Sequence, residues 1–435
     1  MAEHHLLVQL ARPINRQNNA DSDLQIQSGA TQMRTLKVSS LGGLCALILG
    51  NAGFSEDFQA ALQNGTVNGN IRAYYNTREY EAEGKTDEAA FALGGALRAE
   101  SAAWHSLKFG LGYYTAQDLG TNDDDPAKVN KRLGSDLEVL GEAYITTSAF
   151  DTNLTLGRQK ISTPFANPGD AFIIPFTFEA FSLTNTSLKN LTIELAYINT
   201  IKNRNSDEFI DVGKWSTNRY GLTPTSTSGT SILGAKYKQD SLSAELWYYD
   251  YSDLFQTLYG QVNYTFSGSE SIKPFIAAQL ISQSESGDEL LGTVDSSLIG
   301  LQGGISFGSS KLTLGYNEVE ENADSFANGA FLTPYNFSTS PLFTNNMLTT
   351  FENVDAGEAT KLTFNHQWNA LAFKASYAVF DYAQAIDRNA TDVDITYKLD
   401  QWQPGLSVRW RLEVVDGDQD TVEQINNRFQ LQLVF

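Results

Sequence analysis

Leu406-Ser407-Val408-Arg409-Trp410-Arg411-Leu412-Glu413-Val414 divides into two interleaved sets: Leu406, Val408, Trp410, Leu412 and Val414 alternate with Ser407, Arg409, Arg411 and Glu413. Side chains of an extended chain point to opposite faces in turn. One face here is therefore wholly apolar, while the other carries two guanidiniums and a carboxylate. Such a strand suits a sheet with hydrocarbon on one side and water on the other. Leu242, Ala244, Leu246 and Tyr248 repeat the pattern against Ser243, Glu245 and Trp247, and Phe429, Leu431, Leu433 and Phe435 repeat it against Arg428, Gln430 and Gln432.

Working outward, the same unit recurs from Thr66 onward: about ten alternating residues, then a turn. Short links such as Gln239-Asp240-Ser241, Gly308-Ser309-Ser310 and Trp368-Asn369-Ala370 take turns with long ones at 117–136, 201–229 and 320–358. Short turns on one rim and long loops on the other predict an all-β fold, a transmembrane antiparallel β-barrel of about eighteen strands. In hydrocarbon a sheet must close, because an open edge leaves backbone groups unpaired. A soluble sandwich also alternates, but three features oppose it. Apolar rows face charged rows over many strands, aromatics gather near strand ends (Tyr74-Tyr75, Tyr113-Tyr114, Trp247-Tyr248-Tyr249), and the sequence ends on Phe435 in phase with an apolar face. Aromatic girdles mark the two membrane interfaces, and a terminal aromatic of this kind is expected to serve as the assembly signal.

The sustained apolar run, 41–49, follows Arg34 and Lys37 and precedes the small residues near Ser55. That is the plan of a secretory signal peptide, too short to span a bilayer as a helix. The expected organisation is a doubtful upstream extension at 1–32, a signal peptide at 33–55 and the barrel at 56–435. Cleavage near Ser55 would remove Cys45, the single cysteine, and with it any disulfide or thiol chemistry. The formal charge of −21 opposes nucleic acid as a partner.

One segment breaks the rhythm. Residues 159–179 hold Pro164, Pro168 and Pro175, which forbid a regular ladder, yet they are rich in Phe and Ile. An apolar loop in water is an oddity; folded inward as a constriction loop, it is not. Gly157-Arg158-Gln159, Thr163-Pro164-Phe165, Asn167-Pro168 with Asp170, and Pro175 followed by Thr177-Phe178-Glu179 resemble the constriction-loop signature of OprD-family porins. Ala180 and Phe172 depart from it: the family usually has Gly at the first position and a polar or charged residue at the second. The resemblance implies an eighteen-stranded passive channel of the bacterial outer membrane. It would sit among outer-membrane lipid and lipopolysaccharide, be inserted by the barrel assembly machinery, and pass small solutes, expected to be carboxylate-bearing amino acids, peptides or organic acids.

Parity supplies an independent view of the lumen. With the Leu/Val/Phe face toward lipid, Arg72, Arg98 and Lys108 point inward from the first three strands, Arg409 and Arg411 from the seventeenth, and Arg428 from the last. Closure makes these strands neighbours, so the bases form one wall. Glu138 and Glu142 are expected inward on the fourth strand, with Glu194 and Glu245 further round. Arg158 falls on the lipid face by strict alternation, and lines the pore only if a bulge forms near Gly157.

Other chemistry finds little support. The barrel region holds two histidines, His105 and His366, too few for a metal or catalytic cluster. Asp416-Gly417-Asp418 imitates a calcium loop, but Thr421 stands where its glycine belongs and Asn427 where its glutamate belongs. No cofactor and no enzyme activity are expected. A sugar-specific or general porin, or a structural or adhesive barrel, are the alternative functions. A sugar channel would show an aromatic slide, and inward Tyr74, Tyr114, Trp247 and Tyr259 look scattered.

Overall fold

The computed structural model describes residues 55–134, 136–169, 171–268, 272–335 and 339–435. The extension, the signal segment up to residue 54 and Asp170 lie outside them. A short helix, α1 (Glu56–Gln63), comes first; the Ser55 side chain accepts from Phe58 N, and the Phe58 ring packs edge-on against Trp104 and Phe109 at 5.3 and 5.7 Å.

The strands follow as β1 (Thr66–Tyr80), β2 (Glu88–Glu100), β3 (Leu107–Gln117), β4 (Leu137–Ala149), β5 (Thr152–Gln159), β6 (Thr177–Asn185) and β7 (Leu191–Lys202). A three-residue β8 (Phe209–Asp211) pairs only with the end of β7 and leads into helix α2 (Val212–Arg219). The wall resumes with β9 (Thr230–Gln239), β10 (Leu242–Tyr251), β11 (Phe255–Thr265), β12 (Ile272–Glu285), β13 (Asp295–Phe307) and β14 (Ser310–Val319). It finishes with β15 (Gly357–Trp368), β16 (Leu371–Tyr382), β17 (Arg388–Lys398), β18 (Leu406–Gly417) and β19 (Gln424–Val434). All nineteen belong to one sheet, antiparallel throughout; with β8 set aside, eighteen form the wall. β19 pairs back onto β1 from Asn70↔Val434 to Tyr80↔Gln424, so the barrel is closed.

The turns are built as the sequence suggests. Phe150-Asp151, Asp240 and Asn369 take positive φ in tight links between β4–β5, β9–β10 and β15–β16, the geometry that matches the twist of a hairpin. The opposite rim is less uniform than expected, since 252–254 and 383–387 are short there too.

Leu97, Leu111, Ile145, Leu156, Leu233, Leu246, Leu280, Leu301, Leu314, Leu362 and Leu431 all stand exposed on the outer face, an aliphatic belt of the kind that meets lipid. Tyr75, Tyr113, Tyr197 and Tyr377 ring one end of it, and Phe307, Trp368, Tyr397 and Phe435 the other. Among the described residues no helix is long and apolar enough to cross a membrane.

Alternation fails at one place that matters. The β3–β4 register shifts at Gly112/Tyr113, leaving Gly141 as the extra residue. Glu142, Tyr144 and Thr146 face inward below this bulge, while Leu137 and Val139 take the inner face above it. Glu138, expected inward, is therefore on the outer face beside Tyr113. Gly141 is needed there: a Cβ would lie 2.2 Å from the Tyr114 ring.

Candidate functional site

β5 and β6 have only eight and nine residues, so the wall is low where the constriction loop leaves and rejoins it. The loop turns inward, as expected, and reaches β10 and β11 on one side and β1 on the other. Phe165 lies fully buried against Tyr249, Tyr259 and Phe331, with centroids 5.2 to 5.4 Å apart. Thr163 N donates to Ala166 O at 2.8 Å, setting a turn just after Pro164, and Asn167 Oδ1 accepts from Gly169 N. Phe176 N donates to Pro168 O at 2.8 Å, which folds the loop on itself, and Lys202 Nζ donates to Pro175 O. Phe178 is buried at the loop base between Phe176 and Tyr335.

A second insert was missed by the sequence reading, which placed 320–358 outside. Residues 330–335 and 339–356 fold into the bore and are held by polar groups of the wall. Gln283 exchanges hydrogen bonds with Leu332, Gln279 donates to Pro341 O, and Asn317 Oδ1 accepts from Thr344. Further round, Asp392 accepts from Met347 N and Glu413 from Thr349 N. Within the insert, the buried carboxylate of Glu352 accepts from Ser340 N at 3.1 Å and Asn345 Nδ2 at 2.8 Å. The signal was available: no charged residue occurs from Ala330 to Phe351, a stretch rich in Phe and Leu.

The inward aromatics are not a slide. Trp247, Tyr249 and Tyr251 stack in file at 6.2 and 6.0 Å along β10, but they are buried beneath the two inserts and bind them to the wall. At this height Tyr74, Tyr114, Tyr249, Gln279, Asn317 and Arg428 are each at most 1% exposed, so the inserts pack closely on the wall and constrict the bore.

The basic wall has two zones. In the periplasmic half its bases meet acids on the next strand or the one beyond it. Arg98 Nε lies 2.5 Å from Glu142, Lys108 Nζ 3.0 Å from Glu100, and Arg409 binds Asp394 through two nitrogens at 2.9 and 2.5 Å. Glu142 also accepts from the Tyr114 hydroxyl and stands 3.9 Å from Lys160 Nζ. Burial, reinforced by the charge of Arg98 and opposed by that of Glu142, lowers the Lys160 ammonium to about 8. A cavity of about 560 Å³ opens beside these groups, lined by Glu100, Lys108, Glu142, Tyr144, Thr155 and Lys160 among others.

At the constriction several arginine side chains hydrogen-bond to amide and carbonyl oxygens, and the carboxylates of Glu88 and Glu413 are near enough to act on Arg132 and Arg428. Arg428 Nε donates to Asn426 Oδ1 at 2.7 Å, while its two terminal nitrogens are buried with no hydrogen-bond partner among the described residues. Arg411 is directly opposite Arg428 across the β18–β19 ladder. Arg72 donates to Gln432 Oε1 and, at 2.7 Å, to the carbonyl of Phe172. Arg78 points inward two rungs above Asn76, another base the sequence reading passed over. Two more arginines come from loops. Arg132 donates to Asn76 Oδ1 at 3.1 Å, and Arg204 lies against Gly169, where φ is +57° and a Cβ would stand 2.7 Å from its Nη1. Loops carry no periodicity, so parity could not find them. Burial first, then the neighbouring charges of Arg78 and Arg411, lower the Arg132 guanidinium to about 9, which leaves it protonated at neutral pH.

Arg158 is a correction. It ends β5 on the face of Leu154 and Leu156, paired with Glu179 at 2.8 Å and lying 4.2 Å from the Phe209 ring centroid. It ties the loop base to the rim instead of lining the bore. Gly157 does take a φ of +117°, but Arg158 stays in register opposite Ala143.

This architecture, a closed wall with an inward loop between the fifth and sixth strands, has known counterparts. The family model described as outer membrane porin, OprD family, matches residues 53–373. The chain belongs to the OprD family of outer membrane porins. It is accordingly a passive channel of the outer membrane and not an enzyme. Among solved structures the porin is similar to OccK9 (OpdG) of Pseudomonas aeruginosa, with a TM-score of 0.72 and 19% identity over 86% of this chain and 100% of that one. OccAB3 of Acinetobacter baumannii follows at 0.70 and 15%, covering 86% and 99%. OpdK of Pseudomonas aeruginosa, solved with vanillate, gives 0.69 and 15% over the same shares. No curated protein matches the chain.

Proposed function

We propose that this porin passes small solutes bearing a carboxylate, with the arginine side of the constriction as their track. The observation that carries the reading is the setting of Arg428 and Arg132 at the constriction: among the described residues the side-chain hydrogen bond of each goes to an asparagine amide and not to a carboxylate, with Glu413 and Glu88 acting on them from nearby. Charges facing a narrow, partly dehydrated passage act more strongly than in bulk water. A carboxylate arriving there replaces water with guanidinium donors, while the ion pairs below, Arg98–Glu142 and Arg409–Asp394, present both signs to a departing zwitterion. OpdK, a fold relative, was solved with vanillate, which is itself a carboxylate. Tyr249 and Tyr259 are taken up by Phe165 of the constriction loop, which weighs against a sugar slide.

The test is liposome swelling with a panel of amino acids, monocarboxylates and sugars, run on the native porin and on Arg132→Gln/Arg428→Gln. Monocarboxylate flux should fall several-fold at about 0.1 M salt, and the deficit should fade near 1 M as the screening length drops to about 3 Å. Equal flux of carboxylates and sugars through the native protein would defeat the reading.

A further inference from the structure

Three arginines from three parts of the chain converge on one residue of the constriction loop. Arg72 of β1 donates to the Phe172 carbonyl at 2.7 Å. Over the Phe172 ring stand the guanidiniums of Arg132, from the loop after β3, and Arg204, from the loop after β7, at 5.4 and 4.5 Å from the centroid. The ring is almost wholly buried. The next two residues, Ile173 and Ile174, are buried in one cluster with Tyr74 and Tyr114, which anchors this part of the loop to the wall.

We infer that Phe172 is a specificity-determining residue of the channel: a neutral aromatic clasp that fixes Arg132 at the constriction without cancelling its charge. The physical argument is a comparison of side chains. A cation is drawn to the face of an aromatic ring by the ring's quadrupole, and the attraction grows when water is excluded. A carboxylate at the same place would hold the guanidinium at least as firmly, through charge-assisted hydrogen bonds. It would also add a negative charge to the bore and annul the field a passing anion feels. An aliphatic side chain would fill the space and hold nothing. Of the three, only the aromatic supplies position and leaves the net charge alone. Arg132 depends on this, because among the described residues its guanidinium hydrogen bond goes to the neutral Asn76 amide, while the Glu88 carboxylate attracts it without a hydrogen bond between them.

This inference rests on the reading of the bore as an anion path, and the experiment separates the two. Reversal potentials in a salt gradient across a planar bilayer give the anion-to-cation preference of the native porin and of Phe172→Leu, Phe172→Trp and Phe172→Glu. Heat-modifiable migration confirms that each barrel has folded. Phe172→Leu should lower the anion preference by about threefold as Arg132 is released. Phe172→Trp should keep it, and Phe172→Glu should reduce it furthest although the arginine stays in place. No anion preference in the native porin would overturn the anion-path reading itself. A native preference left intact by Phe172→Leu, or lost equally in Phe172→Trp, would overturn the clasp while leaving the path standing. If the leucine variant fails to fold, the tryptophan and glutamate variants decide: equal preference in those two refutes the proposal.

Discussion

Replacing Phe165 by alanine should undo the constriction without undoing the barrel. The ring is 1% exposed and meets Tyr249, Tyr259 and Phe331 at 5.2, 5.3 and 5.4 Å, spanning the bore from the loop to β10, β11 and the second insert. Burial of such a ring contributes roughly 1.5–3 kcal/mol, and each aromatic contact adds about 0.5–1.5 kcal/mol. The loss on truncation, with partial relaxation, is about 3–5 kcal/mol. The wall ladder does not involve this side chain, so the loss falls on the docking of the loop. At about 1.4 kcal/mol per tenfold, the ratio of docked to undocked loop should drop by roughly two to four orders of magnitude. Single-channel recording should then show a larger mean conductance with frequent brief transitions, while the temperature at which heat-modifiability is lost stays within a few degrees of the native value. Unchanged conductance and unchanged noise would refute the idea that this ring pins the loop.

Trp410 stacks on Phe429 on the lipid face at mid-strand, so Trp410→Arg should impair assembly by about 2–4 kcal/mol; normal yield of folded barrel would count against the face assignment. Lys160, lowered to about 8, should lose its charge as pH rises through that value. Anion preference should therefore decline between about pH 7 and 9, and Lys160→Met, which removes the charge at every pH, should flatten that dependence. Deleting Phe435 should reduce the amount of inserted barrel, because its backbone exchanges hydrogen bonds with Gly69 at 2.9 and 3.0 Å; full insertion would show that those bonds and the terminal ring are dispensable.

Period-two patterning revealed the wall because the two solvents of a membrane barrel are so unlike that every strand must declare its faces. Arg72, Arg98, Lys108, Arg409, Arg411 and Arg428 all point inward as parity requires. Glu138 did not, since one extra residue at Gly141 reverses everything above it; alternation cannot count a bulge at a glycine, which has no side chain to declare a face. The proline-rich loop was legible through the conflict between its apolar side chains and an aqueous position. The second insert carried the same conflict between Ala330 and Phe351 but, with proline only at Pro334 and Pro341 over that longer stretch, read as an ordinary external loop. Arg132 and Arg204 were invisible for another reason: their place depends on contacts with Asn76, Phe172 and Gly169, remote in sequence and joined only by the fold.

The seam between β1 and β19 has a kinetic meaning. Every other wall pairing joins strands consecutive along the wall, whereas Arg72 meets Gln432 across 360 positions. Nearly the whole chain must be ordered before that rung can form, and the entropy of so long a closure delays it relative to the local hairpins. Until then two unpaired edges exist together, β1 and β19, each a template for any passing strand. The seam is thus the last part of the cylinder to become kinetically secure, and the first place to look for slow phases in refolding and for exchange of backbone amides in the finished barrel.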